Sequence, residues 1–414
     1  MNLLHLVNGN IIADDGYSQR IKRQENVWKS LDGLNVSLFN ISSWKLMMRP
    51  RKLRHNIHKT EEYAKKMGFG FGRRQGYSLF AFFYNPDWYF KISSNSVWLF
   101  CKKNNIDLIF AENLICGYMA YECYKRYGIP YVLDYHGVAP EEFQLSGKEM
   151  YKVNYEYYKK MEKKTIENAK GIVCVSKRFK EYLLKTFNVS EDKIIIAPSC
   201  IEESKIGYEP KARTDIRGKM HIPDSTKVII YAGGCGHWHC DDKIVEIYSK
   251  LHKIVPDTYL FFLTNDSNHI RVRDNLEKFG ITESNYLLSS VSNTEIFDYY
   301  AAADYGIIIR FNSLINEVAS PTKVIEYMAA GLGVISTTNV GDINILPGVS
   351  YLEDYDELTS EMYDIGKLGR FVATGYDRIN NLNLCQTFLR KEYTWESMES
   401  RYKKFFDSVY RIIK

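Results

Sequence analysis

The feature that most constrains this chain is a series of eleven short apolar runs separated by amphipathic, helix-like stretches. The runs are continuous and rich in β-branched residues, a pattern typical of parallel strands that helices cover on both faces. They occupy residues 3–7, 36–40, 107–112, 131–137, 171–176, 193–199, 227–234, 258–264, 285–290, 305–310 and 331–337. The sequence therefore predicts an α/β protein with two doubly wound, Rossmann-like sheets.

The length of 414 residues suits two domains. The clearest boundary is the polar, aperiodic segment 199–220, so we predict domains over 1–205 and 206–392, followed by an amphipathic helix over 393–414. The total formal charge is 55 − 50 = +5, but residues 1–205 carry 32 − 22 = +10 and the remainder 23 − 28 = −5. This division suggests that the first domain faces an anionic surface.

The compartment is predicted from what the sequence lacks. Neither a signal peptide nor a run of about 18 apolar residues is evident, so we expect a cytoplasmic protein. The eight cysteines are scattered, and several lie in apolar runs, so we expect free and mostly buried thiols.

The segment 319–337 predicts a short helix between a loop and a strand. Ser320 is a suitable N-cap, Pro321 suits the first helical position, and Gly331 suits the residue after the helix. Lys323 would lie in the first turn, where a cation is unfavourable unless an anion binds, and Glu326 could accept hydrogen bonds from a ribose. The pattern predicts a phosphate or diphosphate site; a simple capped helix with a solvated lysine is the alternative.

Two further strand ends carry candidate phosphate ligands. Gly233 and Gly234 end the strand predicted at 227–234 and would let the backbone approach a phosphate closely. Arg310 ends the strand at 305–310 and could clamp a diphosphate, or it could be a surface residue paired with Glu317. The nearby Cys235, His237, His239 and Cys240 are too closely spaced for one tetrahedral zinc, so no metal is predicted.

In the first domain, His136 lies at the carboxyl end of the strand predicted at 131–137 and either shapes its loop or faces a ligand. Gly16 lies in the loop after the first strand, and this loop lacks the dinucleotide fingerprint GxGxxG.

The stretch 301–337 resembles the donor-site signature of GT-B glycosyltransferases, and is closest to the family-4 group that builds bacterial surface polysaccharides. Segments 129–143, 161–183 and 393–406 resemble further family stretches in the right order. The resemblance implies two Rossmann-like domains with an interdomain cleft and a last helix that packs back on the N-terminal domain. It also implies a retaining, metal-independent reaction without a cofactor, in which cationic side chains and a helix dipole replace the metal.

The resemblance also implies roles for individual residues. Glu326 would hold the donor ribose, Arg310 would lie near the leaving diphosphate, and His136 would lie beside the donor sugar. An earlier family glutamate is replaced by Val318, with Glu317 one place out of register. The remaining predicted donor contacts are Ser320, Thr322 and Lys323 at the diphosphate, Gly16 near it, Gly233 and Gly234 in the glycine loop, and Val291 at the base.

Residues 41–80 contain ten Lys/Arg and two acids, and the aromatic run 80–90 follows them. Basic and aromatic residues together suit an anionic membrane surface, and a nucleic-acid groove or a solvated helix are the alternatives. We predict a membrane surface over 41–90 and no nucleic-acid partner.

Together these patterns predict a peripheral inner-leaflet enzyme that moves a sugar from a nucleotide sugar to a lipid-linked saccharide. The alternatives are a sugar-nucleotide 2-epimerase or hydrolase on the same fold, and a non-catalytic sugar-nucleotide-binding protein.

Overall fold

In the computed structural model, the described residues are 1–13, 16–42, 50–75, 86–145, 155–236 and 238–414. They form two compact units, one of residues Met1–Pro198 with Trp395–Lys414 and one of Ser199–Thr394. Each unit has its own fully parallel sheet flanked by helices. The α/β class and the pair of Rossmann-like sheets predicted from the apolar runs are thereby confirmed.

The first unit has a seven-stranded sheet in the order β3-β2-β1-β4-β5-β6-β7. Its strands are Asn2–Asn8 (β1), Asn35–Ser42 (β2), Gly70–Gln75 (β3), Leu108–Glu112 (β4), Tyr131–Tyr135 (β5), Gly171–Cys174 (β6) and Ile194–Ile196 (β7). Its helices are Gly16–Lys29 (α1), Pro50–Met67 (α2), Pro86–Lys103 (α3), Asn113–Tyr127 (α4), Ala139–Leu145 (α5), Tyr155–Asn168 (α6) and Lys177–Thr186 (α7).

The second unit has a six-stranded sheet in the order β10-β9-β8-β11-β12-β13. Its strands are Lys227–Ala232 (β8), Thr258–Leu263 (β9), Tyr286–Ser289 (β10), Tyr305–Ile308 (β11), Gly333–Thr337 (β12) and Val349–Glu353 (β13). Its helices are Pro210–Lys219 (α8), Asp241–Ile254 (α9), His269–Lys278 (α10), Ile296–Ala302 (α11), Leu314–Glu317 (α12), Thr322–Ala329 (α13), Tyr355–Thr359 (α14), Ile365–Thr374 (α15) and Arg378–Glu392 (α16).

The last helix, Trp395–Ile413 (α17), is part of the first unit. Its Tyr402 and Phe406 pack edge-on against Trp28 of α1, with ring centroids 5.8 and 5.7 Å apart. Gly171 of β6 lies against Phe405, where an added Cβ would meet the phenyl ring. The first unit is therefore built from two separate stretches of the chain.

Both sheets reverse their strand order at one point, between β1 and β4 in the first unit and between β8 and β11 in the second. In open α/β sheets, ligands bind outside the carboxyl ends of strands at such a switch point. The ends of β1, β4, β8 and β11 are consequently the places at which functional side chains are expected.

All eight cysteines are free, and seven are buried, as predicted. None of the helices in the described residues is long and apolar enough to cross a membrane.

Candidate functional site

The glycine loop after β8 is held by its own side chains in the second unit. The hydroxyl of Tyr231 donates to the carbonyl of Gly234, and the backbone N–H of Gly236 donates to Asp241 over 3.3 Å. A Cβ added at Gly234 would meet only the His239 ring, at 3.8 Å or more. The Gly236 N–H is therefore already used, whereas Gly234 has open space beside the histidine.

Arg310 is buried after β11, at the switch point, and contacts the glycine loop. Its Nη1 donates to the carbonyl of His239 over 2.7 Å and its Nη2 lies 3.1 Å from His239 Nδ1. Its backbone exchanges two hydrogen bonds with the Thr337 hydroxyl at the end of β12. The alternative interpretation of Arg310 as a surface residue is wrong, because its side chain is anchored inside the sheet edge.

His239 is a neutral imidazole in this arrangement. A guanidinium can only donate, so the Nδ1 that faces Arg310 must carry a lone pair and the proton must reside on Nε2. Burial, and then the positive charges of Arg310 and Arg271, lower the pKa of His239 to about 4. The loop therefore presents a neutral N–H donor and a buried cation side by side.

The predicted helix at 319–337 forms, but it begins later than expected. α13 starts at Thr322 with Pro321 at the N-cap position, and no side chain caps it. Ser320 is not the N-cap: its hydroxyl accepts a hydrogen bond from the backbone N–H of Ser199 instead. Gly331 follows the helix with φ of +72°, as predicted.

Lys323 lies in the first turn of α13, but its charge has a partner within the helix. Its Nζ is 2.9 Å from Glu326, and Glu326 also accepts a hydrogen bond of 2.7 Å from the Tyr300 hydroxyl. An intrahelical carboxylate thus offsets the cation that we expected to require an external anion. Both side chains are partly exposed.

The remaining donor-side positions lie on loops around the same sheet. Val291 follows β10 and packs partly buried against the hydrophobic core. Val318, at the register of the family glutamate, is completely buried after α12, while Glu317 is exposed. The described structure therefore places no carboxylate at the Val318 position.

In the first unit, His136 follows β5 and is paired with two buried carboxylates. Its Nε2 lies 2.8 Å from Glu112 Oε2 and 3.3 Å from Asp134 Oδ1. Gly16 begins α1, and the ring of the next residue, Tyr17, lies 6.0 Å from the His136 ring. The structure thus brings Gly16 and His136 to the same sheet edge.

Glu112 escaped the sequence analysis although it ends β4 at the switch point. A second missed residue is His5, which lies completely buried in β1, within an apolar run that has no other polar side chain. A polar residue within an apolar run is visible in the sequence, and this signal could have identified His5. The network between these side chains depends on strand register, which the sequence does not specify.

Glu112, Asp134 and His136 also have the composition of a metal site, with ligand atoms within 4.8 Å of one another. Both carboxylates lie within ion-pair distance of His136, and Asp134 lies within ion-pair distance of Arg20 as well. We therefore treat them as an ion-pair cluster. His237, one of the four metal-like residues of the glycine loop, lies outside the described residues.

Comparison with known proteins places this geometry in context. A model described as Glycosyltransferase Family 4 matches residues 53–205, which lie mostly in the first unit and reach a few residues into the second. The chain also resembles a solved glycosyltransferase from Rickettsia africae, with 16% identity, a TM-score of 0.70, and coverage of 99% of this chain and 98% of the other. Both sheets and both units are included in this match. The fold is GT-B.

Two other solved GT-B structures show the same likeness. Anabaena HepE in complex with UDP-glucose has 9% identity and a TM-score of 0.69, covering 99% of this chain and 100% of the other. The lipopolysaccharide outer core galactosyltransferase WaaB has 11% identity and a TM-score of 0.64, covering 99% of each chain. A comparison with curated proteins finds no match. The predicted resemblance to family-4 glycosyltransferases and the GT-B fold are both confirmed.

Proposed function

We propose that this chain is a retaining glycosyltransferase that moves a sugar from a nucleotide diphosphate sugar to a lipid-linked saccharide in surface polysaccharide synthesis. The observation that carries the proposal is the buried Arg310 at the switch point of the second sheet, beside an open glycine loop. The GT-B fold and the UDP-glucose bound by HepE support a sugar nucleotide as the ligand.

The donor diphosphate would bind between the Gly233–Gly234 loop, Arg310 and the first turn of α13. Arg310 and Lys323 supply positive charge, and the backbone N–H groups of Ser320 and Thr322 at the start of α13 add the helix dipole. These groups stabilise the negative charge that develops on the leaving diphosphate. Such cations can do the work of a metal, so we propose a metal-independent reaction.

The family signature has two carboxylate positions, and this chain has a carboxylate at one of them and a valine at the other. Glu326 is partly exposed on α13 and would bind the ribose after leaving Lys323. Backbone groups at Val291 would pair with the base. At Val318 there is no carboxylate for the donor hexose. This departure favours a non-catalytic sugar-nucleotide-binding protein as the second candidate function. Measuring donor turnover distinguishes the two, because only the transferase consumes the sugar nucleotide.

For the acceptor, we propose that the exposed face of α2 in the first unit binds the membrane surface. Leu53, Thr60, Ala64 and Met67 are buried on one face, and the exposed basic residues are Arg51, Lys52, Arg54, Lys59, Lys65 and Lys66. This face would hold the protein at anionic lipids of the inner leaflet, where a lipid-linked acceptor is found. Lys45, Arg49 and the aromatic residues 80–85 of the predicted membrane segment lie outside the described residues.

The donor proposal is tested by thermal unfolding in the presence of UDP- and GDP-sugars. A ligand at 100 times its Kd stabilises a protein by about 2.7 kcal/mol, so we expect the matching donor to raise Tm by several degrees. If no sugar nucleotide changes Tm at millimolar concentration, the donor-site assignment is wrong.

A further inference from the structure

A buried chain of charged side chains runs through the first unit and ends at His136. At its centre, His5 Nδ1 lies 2.7 Å from Glu25 Oε1, and His5 Nε2 lies 2.7 Å from Glu112 Oε1. The second oxygen of Glu112 faces His136 Nε2 at 2.8 Å. Glu112 therefore bridges two histidines. Glu112 and His5 are completely buried, whereas the His136 side chain is 19% exposed.

The geometry determines the protonation of His5. Ionised carboxylates can only accept hydrogen bonds, so a ring with a carboxylate at each nitrogen must carry both protons. Burial alone would lower the pKa of His5, but the hydrogen bonds and charges of Glu112 and Glu25 outweigh it and raise the pKa to about 9. His5 is thus a buried cation that keeps the carboxylate of Glu112 in its ionised form.

The charges of the cluster balance only if His136 is also a cation. Glu25, Glu112 and Asp134 supply three negative charges, while His5 and Arg20 supply two positive ones, with Arg20 Nη2 lying 3.4 Å from Asp134. Gln24 donates to the other oxygen of Asp134 over 2.9 Å but carries no charge. His136 completes the balance, and an unbalanced charge in such a buried cluster would be costly.

Titratable groups from four neighbouring elements lie around His136. Glu112 comes from the end of β4 and Asp134 from β5, while Tyr17 of α1 lies beside the ring. From α5, the carboxyl of Glu142 covers the adjacent Gly137, and burial raises the pKa of Glu142. Both close carboxylate contacts meet the same nitrogen, Nε2.

We propose that Glu112 is a positioning residue that holds His136 as an imidazolium, so that His136 serves its ligand as a fixed cation and N–H donor and not as a base. The inference rests on the proposed place of His136 in the active site. Burial would lower the pKa of His136, but Asp134 and Glu112 outweigh it and raise the pKa to about 9. An imidazolium at neutral pH cannot remove a proton from an acceptor hydroxyl, and it stabilises negative charge instead.

The series of buried charged side chains also extends in the other direction, away from His136 and toward the basic helix α2. The Tyr63 hydroxyl of α2 donates to Glu25 Oε2 over 2.6 Å, so an unbroken series of contacts joins α2 to His136 through Glu25, His5 and Glu112. This series fixes both carboxylate oxygens of Glu25 and of Glu112. The orientation of His136 therefore depends on residues that never approach the ligand.

The test is an NMR titration of the full chain labelled with ¹³C at histidine Cε1, from pH 5.5 to 10, with the His136 signal assigned through His136→Gln. We expect a His136 midpoint near pH 9 in the wild type. In Glu112→Gln, loss of the adjacent negative charge should lower that midpoint by about one unit or more. Glu122→Gln, a buried carboxylate of α4 outside the cluster, is the matched control and should leave the midpoint unchanged.

Three results would overturn the proposal. The first is a wild-type midpoint near 6.5, which needs no variant and remains decisive if Glu112→Gln fails to fold. The second is an unchanged midpoint in folded Glu112→Gln. The third is a His136 signal that moves with added Zn²⁺ and returns with EDTA, since the cluster would then be a metal site. Because the titration contains no sugar nucleotide, it can fail while the donor experiment succeeds, or the reverse.

Discussion

Replacing Arg310 with alanine is expected to weaken binding of the donor sugar nucleotide by about 10- to 150-fold. A hydrogen bond to a charged group contributes about 1.5–3 kcal/mol, and Arg310 is buried where water screens the diphosphate poorly. The loss should be at the upper end because the substitution also removes the two contacts that hold His239 beside the glycine loop. Isothermal titration calorimetry with the donor found by thermal unfolding measures this change directly.

Two variants serve as controls for the Arg310 prediction. Arg310→Lys keeps the charge but cannot reproduce the paired contacts with His239, so we expect an intermediate affinity. Arg370→Ala removes an arginine of the same unit that is 72% exposed and should bind donor like the wild type. Wild-type affinity in folded Arg310→Ala would contradict the assignment of the diphosphate to this sheet edge.

Removing four cations from α2 should nearly abolish binding to anionic vesicles. Each basic residue at a membrane surface contributes about 1 kcal/mol, so replacing Arg51, Lys52, Arg54 and Lys59 with serine should weaken partitioning by about 1,000-fold. The helix should remain folded because the buried residues of its other face are unchanged. Co-sedimentation with phosphatidylserine-containing vesicles measures the loss, which should be smaller at high salt.

The control for the α2 variant must remove the same charge from another surface. Four exposed lysines of the second unit meet this requirement: Lys211, Lys219, Lys253 and Lys278. Their replacement with serine should reduce vesicle binding far less than the α2 variant does. If both variants bind equally, net charge and not the α2 face governs association, and if the α2 variant binds like the wild type, the proposed membrane surface is wrong.

The sequence predicted the sheets well because strands buried on both faces are continuous apolar runs. All eleven predicted strands form, and the two that were missed, β3 and β13, are edge strands. β3 has the sequence GFGRRQ, and β13 is only partly buried, so neither has the apolar run on which the prediction depended. The two compact units divide at Ser199 and Trp395, a few residues from the predicted boundaries, because a polar linker shows no periodicity that would fix the exact residue.

The candidate site was less predictable, because its side chains take partners from distant parts of the chain. The position of Arg310 at a strand end was evident, but its contact with His239, 71 residues away, was not. Likewise, Lys323 suggested an anion, and the structure shows that Glu326 of the same helix supplies one. The His5–Glu112–His136 series depends on β1, β4 and β5 lying side by side, which follows from the strand order and not from local pattern.

The most direct test of the central claim is nucleotide release from the stabilising sugar nucleotide, measured with membrane lipid extract as acceptor. We predict release that requires the lipid extract, with transfer of the sugar to a lipid product and retention of its anomeric configuration. Release that is equally fast without lipid would indicate a hydrolase or an epimerase side reaction. A donor that binds but is never consumed would contradict the proposed transferase and favour a sugar-nucleotide-binding protein.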